Sequence, residues 1–154
     1  KVSITTAAVK NKNFVRESVK EFGSQCIVIA VDAKTVSKNK WEIFTHGGRK
    51  KTGIDVVEYV KQMEDLGAGE ILLTSMDQDG QKTGYDLELL RAVNSSVNVP
   101  LIASGGAGCL EHFREAVSEG GADALLAASL FHYGTFSIQQ VKDYLSRNDI
   151  PVRL

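Results

Sequence analysis

Two cysteines and two prolines in 154 residues leave little for a covalent scaffold or a proline-stiffened linker. Cys26 and Cys109 lie far apart and show no metal-ligand spacing, so disulfide frameworks and zinc ribbons are excluded. They read as thiols of a reduced, intracellular protein, and a cytoplasmic location is expected. No apolar run approaches the roughly 18 residues of a membrane span, and no signal-peptide pattern opens the chain. Charge of one sign is also lacking: 18 Lys and Arg face 19 Asp and Glu, for a net charge of −1. Neither nucleic acid nor an anionic membrane surface is therefore an expected partner. The three histidines, His46, His112 and His132, are scattered. No metal, no cofactor and no histidine catalysis is expected. The single tryptophan, Trp41, reads as packing.

What remains is 43% hydrophobic residues and 14 glycines, enough apolar material for one sizeable core and an unusual amount of bare backbone. Short apolar runs occur at VSI (2–4), CIVIAV (26–31), EILLTS (70–75), VPLIAS (99–104) and ADALLAAS (122–129). Nearly every residue in them is apolar, as in strands of a parallel sheet covered on both faces. Between them lie helical patterns. KNFVRESVKEF (12–22) sets Phe14, Val15, Val19 and Phe22 on one face, and IDVVEYVKQMEDLG (54–67) runs to a stop at Gly67. Further helices are predicted near 86–94, 110–119 and 137–146, with Asp86 and Ser137 as N-caps. Strict strand–helix alternation without a linker predicts a parallel α/β sheet in a single domain, residues 1–154. Small and hydroxyl residues follow the strands at both VSITTAAV and LLAASLF, a faint echo of the kind repeated βα modules produce.

Polar residues gather where these strands end. Asp32 follows CIVIAV, Thr74 and Ser75 close EILLTS, Ser104 closes VPLIAS, and Ser129 closes ADALLAAS. The C-terminal strand ends form the ligand-binding face of parallel α/β folds. A carboxylate leaving so apolar a run is either an acid–base group at a cleft or a partner for a helix end or Lys34. In TSMDQDGQKTGYD (74–86) the Asp-Gly turn explains Gly80 but not Asp77 and Asp79 beside it; metal binding lacks the rest of a calcium loop. LIASGGAG (101–108) places three glycines in four positions. With Gly80 and the amides of Ala128 and Ser129, Gly105 and Gly106 read as a backbone cradle for a phosphate. SLFHYG (129–134) is predicted to add a short helix. The long segment 33–53 holds a strand-like WEIFT (41–45) and the cations Lys34, Arg49, Lys50 and Lys51, which either attract an anionic substrate or are simply solvated.

Taken together, KVSITTAAV, FGSQCIVIAVDAK, GAGEILLTSMDQDGQKTGYD, PLIASGGAG with EHF, and LLAASLFH resemble the cyclase subunit of imidazole glycerol phosphate synthase, from histidine biosynthesis. The resemblance spans nearly the whole chain. It implies a partial (βα)8 TIM barrel, roughly strand 4 through helix 8. The first three βα units, with one catalytic aspartate, are expected to lie outside this sequence. The implied activity is a lyase reaction. Ammonia from a glutaminase partner closes an imidazole ring on a bisphosphorylated ribulosyl nucleotide, giving imidazole glycerol phosphate and an aminoimidazole carboxamide ribotide. By resemblance, Asp32 and Asp79 form the catalytic set. Asp79 also joins Gly80, Ser104, Gly105, Gly106, Ala128 and Ser129 at one phosphate site. Thr5 and Thr6 match the other phosphate site, where the family usually has asparagine at the Thr5 position, and Thr74 lines the pocket. Lys1 and Glu70 match an ammonia gate at the opposite face. The alternatives are the sibling phosphoribosyl aminoimidazole carboxamide isomerase and a non-catalytic phosphate-binding half-barrel. The piece alone is expected to be inactive and to associate with itself or with the missing units.

Overall fold

A computed structural model describes residues 1–153. Among them, seven strands form one sheet. They are β1 (Val2–Ile4), β2 (Ile27–Ser37), β3 (Lys40–Thr45), β4 (Lys50–Asp55), β5 (Glu70–Ser75), β6 (Leu101–Ser104) and β7 (Ala124–Leu126). The helices are α1 (Thr6–Lys10), α2 (Lys12–Phe22), α3 (Val56–Asp65), α4 (Leu87–Asn94), α5 (Leu110–Ser118), α6 (Ser129–His132) and α7 (Ile138–Arg147).

Five strands, β1, β2, β5, β6 and β7, pair in parallel and in chain order. Each crossover steps to the same side, and right-handed crossovers then keep every helix on one face. That is the wall of a barrel. A doubly wound sheet would reverse direction part-way. The wall is not closed: β1 and β7 each have one strand neighbour, β2 and β6 respectively. The fold is a partial (βα)8 barrel, as expected from the sequence.

Burial shows which face the helices cover. Ile27, Ile29, Val31 and Ala33 on β2, Ile71 and Leu73 on β5, and Leu101 and Ala103 on β6 are buried. They pack against Val56, Tyr59, Val60 and Met63 of α3, Leu89, Leu90 and Val93 of α4, and Phe113 and Ala116 of α5 in one apolar cluster. Each large side chain so buried contributes about 1.5–3 kcal/mol. The alternate residues face the barrel interior. Register aligns them in rows: Asp32 beside Thr74, Thr74 beside Ser104, and Ser104 beside Leu126. Ala30, Leu72, Ile102 and Ala124 form the row beneath.

Several boundaries differ from the sequence reading for local reasons. β2 runs on to Ser37 because its second half pairs antiparallel with β3, from Asp32–Phe44 to Ser37–Lys40. Segment 33–53 thus forms a three-stranded antiparallel extension, a hairpin of β2 and β3 continued by β4 (Lys50–Asp55), which has no counterpart in the expected elements. Ile54 and Asp55 belong to β4, and the Asp55 carboxylate caps α3 by accepting from the Glu58 N–H at 3.0 Å. Helix α2 has the expected bounds but not the expected face. Val15 is fully buried, whereas Phe14 and Phe22 are exposed. The caps at Asp86 and Ser137 form as expected, the latter with a full capping box to Gln140.

Candidate functional site

Asp32 leaves the apolar half of β2 on the interior face, with Phe44 of β3 on one side and Thr74 of β5 on the other. Neither structural alternative for it is found. Among the described residues its carboxylate caps no helix and joins no ion pair, and the Lys34 ammonium lies over the Phe44 ring instead, 5.8 Å from its centre. Burial raises the Asp32 pKa above the ordinary aspartate value, and the negative charge of Asp79 pushes it the same way. The two carboxylates are therefore electrostatic neighbours, brought together from β2 and from the loop after β5.

That loop is held closely. The Asp79 N–H donates to the Ser75 carbonyl at 2.9 Å, and Gly84 N–H donates to the Gly106 carbonyl at 2.9 Å. Asp77 turns away: it accepts from the Thr35 N–H at 2.7 Å and so pins the hairpin to the β5 exit. This contact accounts for one of the two aspartates that made metal binding worth weighing.

A cavity of about 390 Å³ opens at the ends of β5, β6 and β7. Thr74, Asp79, Gly80, Ser104, Gly105, Gly106, Ala128 and Ser129 all line it. Eight residues assigned to the site from the sequence thus meet in one place, although they come from three separate loops. Lys82 also lines the cavity and was missed, as were Ala107, Leu126 and Ala127. The only sign of Lys82 in the sequence was its place inside the glycine-flanked loop of residues 80–84, where it adopts a left-handed conformation with φ 60°.

The glycines have two distinct jobs. At Gly106, φ is +108° and an added Cβ would collide with the Gly84 carbonyl oxygen, so the residue is small because two loops touch there. At Gly80, φ is +80° and nothing lies within 4 Å of an added Cβ. Gly80 therefore leaves open space in front of its backbone, whereas Gly106 lets two backbones close.

The remaining site assignments lie apart from this cavity. Thr5 precedes α1, and its carbonyl accepts from the Ala8 N–H at 3.1 Å. The Thr6 hydroxyl accepts from the His46 N–H at 3.4 Å, joining α1 to the turn between β3 and β4. Glu70 pairs with Lys1 at the start of β5. Four residue steps of strand lead from Glu70 to Thr74, about 13 Å at 3.3 Å per residue, so this ion pair marks the opposite mouth of the interior. Cys26 and Cys109 are free thiols. No described helix is long and apolar enough to cross a membrane.

Strand-end carboxylates and a glycine-lined cavity on the inner wall of a partial barrel define a (βα)8-barrel ligand site. A family model described as "Histidine biosynthesis protein" matches residues 1–137, and the chain belongs to that family. Its family role is enzymatic, in histidine biosynthesis.

Proposed function

We propose that the chain, a single domain over residues 1–154, is the C-terminal portion of the (βα)8 barrel of the imidazole glycerol phosphate synthase cyclase, located in the cytoplasm and supplied with ammonia by a glutaminase. The observation that carries this reading is the row Asp32–Thr74–Ser104, which runs from a carboxylate with no partner among the described residues into the glycine-lined cavity. The cavity amides at Gly80, Gly106, Ala128 and Ser129 grip one phosphate of the bisphosphorylated substrate, with Lys82 as a cation at the rim. Thr5 and Thr6 hold the second phosphate. The reacting carbon then lies over the row, facing Asp32 and Asp79.

In the reaction, ammonia adds to the ribulosyl carbonyl and the carbonyl oxygen must leave as water. Asp32 binds its proton more tightly than an ordinary aspartate, which suits it to protonate that oxygen. Asp79, close enough to perturb Asp32, takes the proton released as the ring closes and returns it to the nitrogen of the aminoimidazole carboxamide ribotide, which leaves as its bond to the ring carbon breaks. Ammonia enters past Lys1 and Glu70 at the other mouth. The resemblance places a further carboxylate outside these residues, so the 154 residues alone do not complete the reaction.

The SGGAG and EHF stretch and the TSMDQDG stretch support the cyclase over the sibling isomerase. Assay of each bisphosphate substrate in a complete barrel built on this chain separates the two. Ammonia-dependent ring closure is the expected result, and isomerisation without ammonia would replace this reading with the sibling's.

A further inference from the structure

Residues 84–86 each tie to the exit of a different strand. Gly84 N–H donates to the Gly106 carbonyl at 2.9 Å, just beyond β6. The Tyr85 hydroxyl donates to the Leu126 carbonyl at 3.0 Å, on the last residue of β7. The Asp86 carboxylate accepts from the Ser75 hydroxyl at 3.1 Å, at the end of β5, while capping α4 through the Leu89 N–H at 3.0 Å. These are the three strand exits whose loops line the cavity.

The middle tie stands out because of where β7 lies. It is three residues long and pairs with β6 alone. Its exit, residues 127–129, lines the cavity together with Gly80. Tyr85 holds that exit from both ends. Its hydroxyl engages Leu126 before the segment. Its ring meets Phe113 edge-on at 6.0 Å, and Phe113 in turn packs at 6.0 Å against Phe131 of α6, just after the segment. Tyr85 itself is buried, 6% exposed, and does not line the cavity. Burial raises its hydroxyl pKa, so it keeps its proton and remains a donor.

We propose that Tyr85 is a positioning residue, whose hydroxyl bond to Leu126 sets the backbone of residues 127–129 for anion binding. The inference rests on the phosphate reading only for the identity of the anion; the placing of the segment stands apart from it.

The test compares the wild-type chain with Tyr85→Phe by amide NMR, with and without inorganic phosphate. The ring contacts are retained and one hydrogen bond is lost. Amide resonances of residues 127–129 are expected to shift and their order parameters to fall, while Gly80 is unchanged without phosphate. Phosphate affinity is expected to fall about fivefold, the factor one ordinary hydrogen bond carries. If the wild type binds no phosphate at these amides but the variant still loosens 127–129, the anion reading fails and the positioning role stands. Unchanged resonances and order parameters at 127–129 in the variant overturn the positioning role, whatever phosphate does. Should the variant not fold, solvent exchange of the wild-type Tyr85 hydroxyl proton decides. Slow exchange relative to Tyr133, which is 76% exposed, supports the bond, and equal exchange overturns it.

Discussion

A half-buried carboxylate with no cation beside it destabilises the fold when ionised, and among the described residues Asp32 is such a group. Its folded pKa is raised, first by burial and then by Asp79. The stability it lends is therefore full below its ordinary value of 3.8 and is lost as pH rises through the raised folded value. Asp32→Asn should leave stability almost unchanged below that pH and increase it at pH 7. Thermal unfolding of both proteins across the pH range checks the sign. In a complete barrel the same substitution should lower turnover by about 10²–10⁴, the usual contribution of a general acid, with little change in KM. Near-normal turnover would remove Asp32 from the chemistry. Asp32 was legible because one charge follows an uninterrupted apolar run. Lys82 was not, because a lysine in a polar loop carries no signal until the loop is folded over the cavity. Glycines also needed the structure. Gly80→Ala meets open space and pays about 1–2 kcal/mol for its backbone conformation alone. Gly106→Val must in addition push the Gly84 carbonyl away, so it should unfold at distinctly lower denaturant. Equal midpoints would contradict the loop-contact account.

At the scale of elements, alternation of short apolar runs with amphipathic stretches was enough to place β1, β5, α2, α4 and α7 within a residue or so. Their boundaries are set locally, by Gly23 after α2, by Asp86 before α4 and by the Ser137 capping box before α7. The hairpin was only half legible. WEIFT alternates like a strand, but KKTGID is polar, and it becomes β4 only through pairing with β3. Likewise the exposed Phe14 and Phe22 of α2 follow the helical period yet are left uncovered by the described residues. Asp77 is the residue that ties the hairpin to the site. Removing its carboxylate in Asp77→Ala should cost about 1 kcal/mol, a charged hydrogen bond discounted for exposure, and speed hydrogen exchange at the Thr35 amide. An unaltered Thr35 exchange rate would show that the hairpin is held by its strand pairing alone.

For the whole molecule, the parallel wall has two open edges, β1 and β7, and an interior face. Leu126 on that wall is 41% exposed, and Ala30, Leu72 and Ile102 are only partly covered. Unpaired edges and an uncovered apolar wall favour association. Sedimentation should find the chain bound to a second copy, or to a segment carrying the remaining βα units when one is supplied. A strictly monomeric chain in both cases would count against an interior completed by association. The central claim joins that completed interior to chemistry at Asp32. It is tested most directly by supplying the remaining units and measuring ammonia-dependent ring closure on the bisphosphorylated ribulosyl nucleotide. The account predicts turnover with the wild-type chain, none with either part alone, and a loss of two or more orders of magnitude with Asp32→Asn. Ring closure by the 154 residues alone, or undiminished turnover with Asp32→Asn, would contradict it.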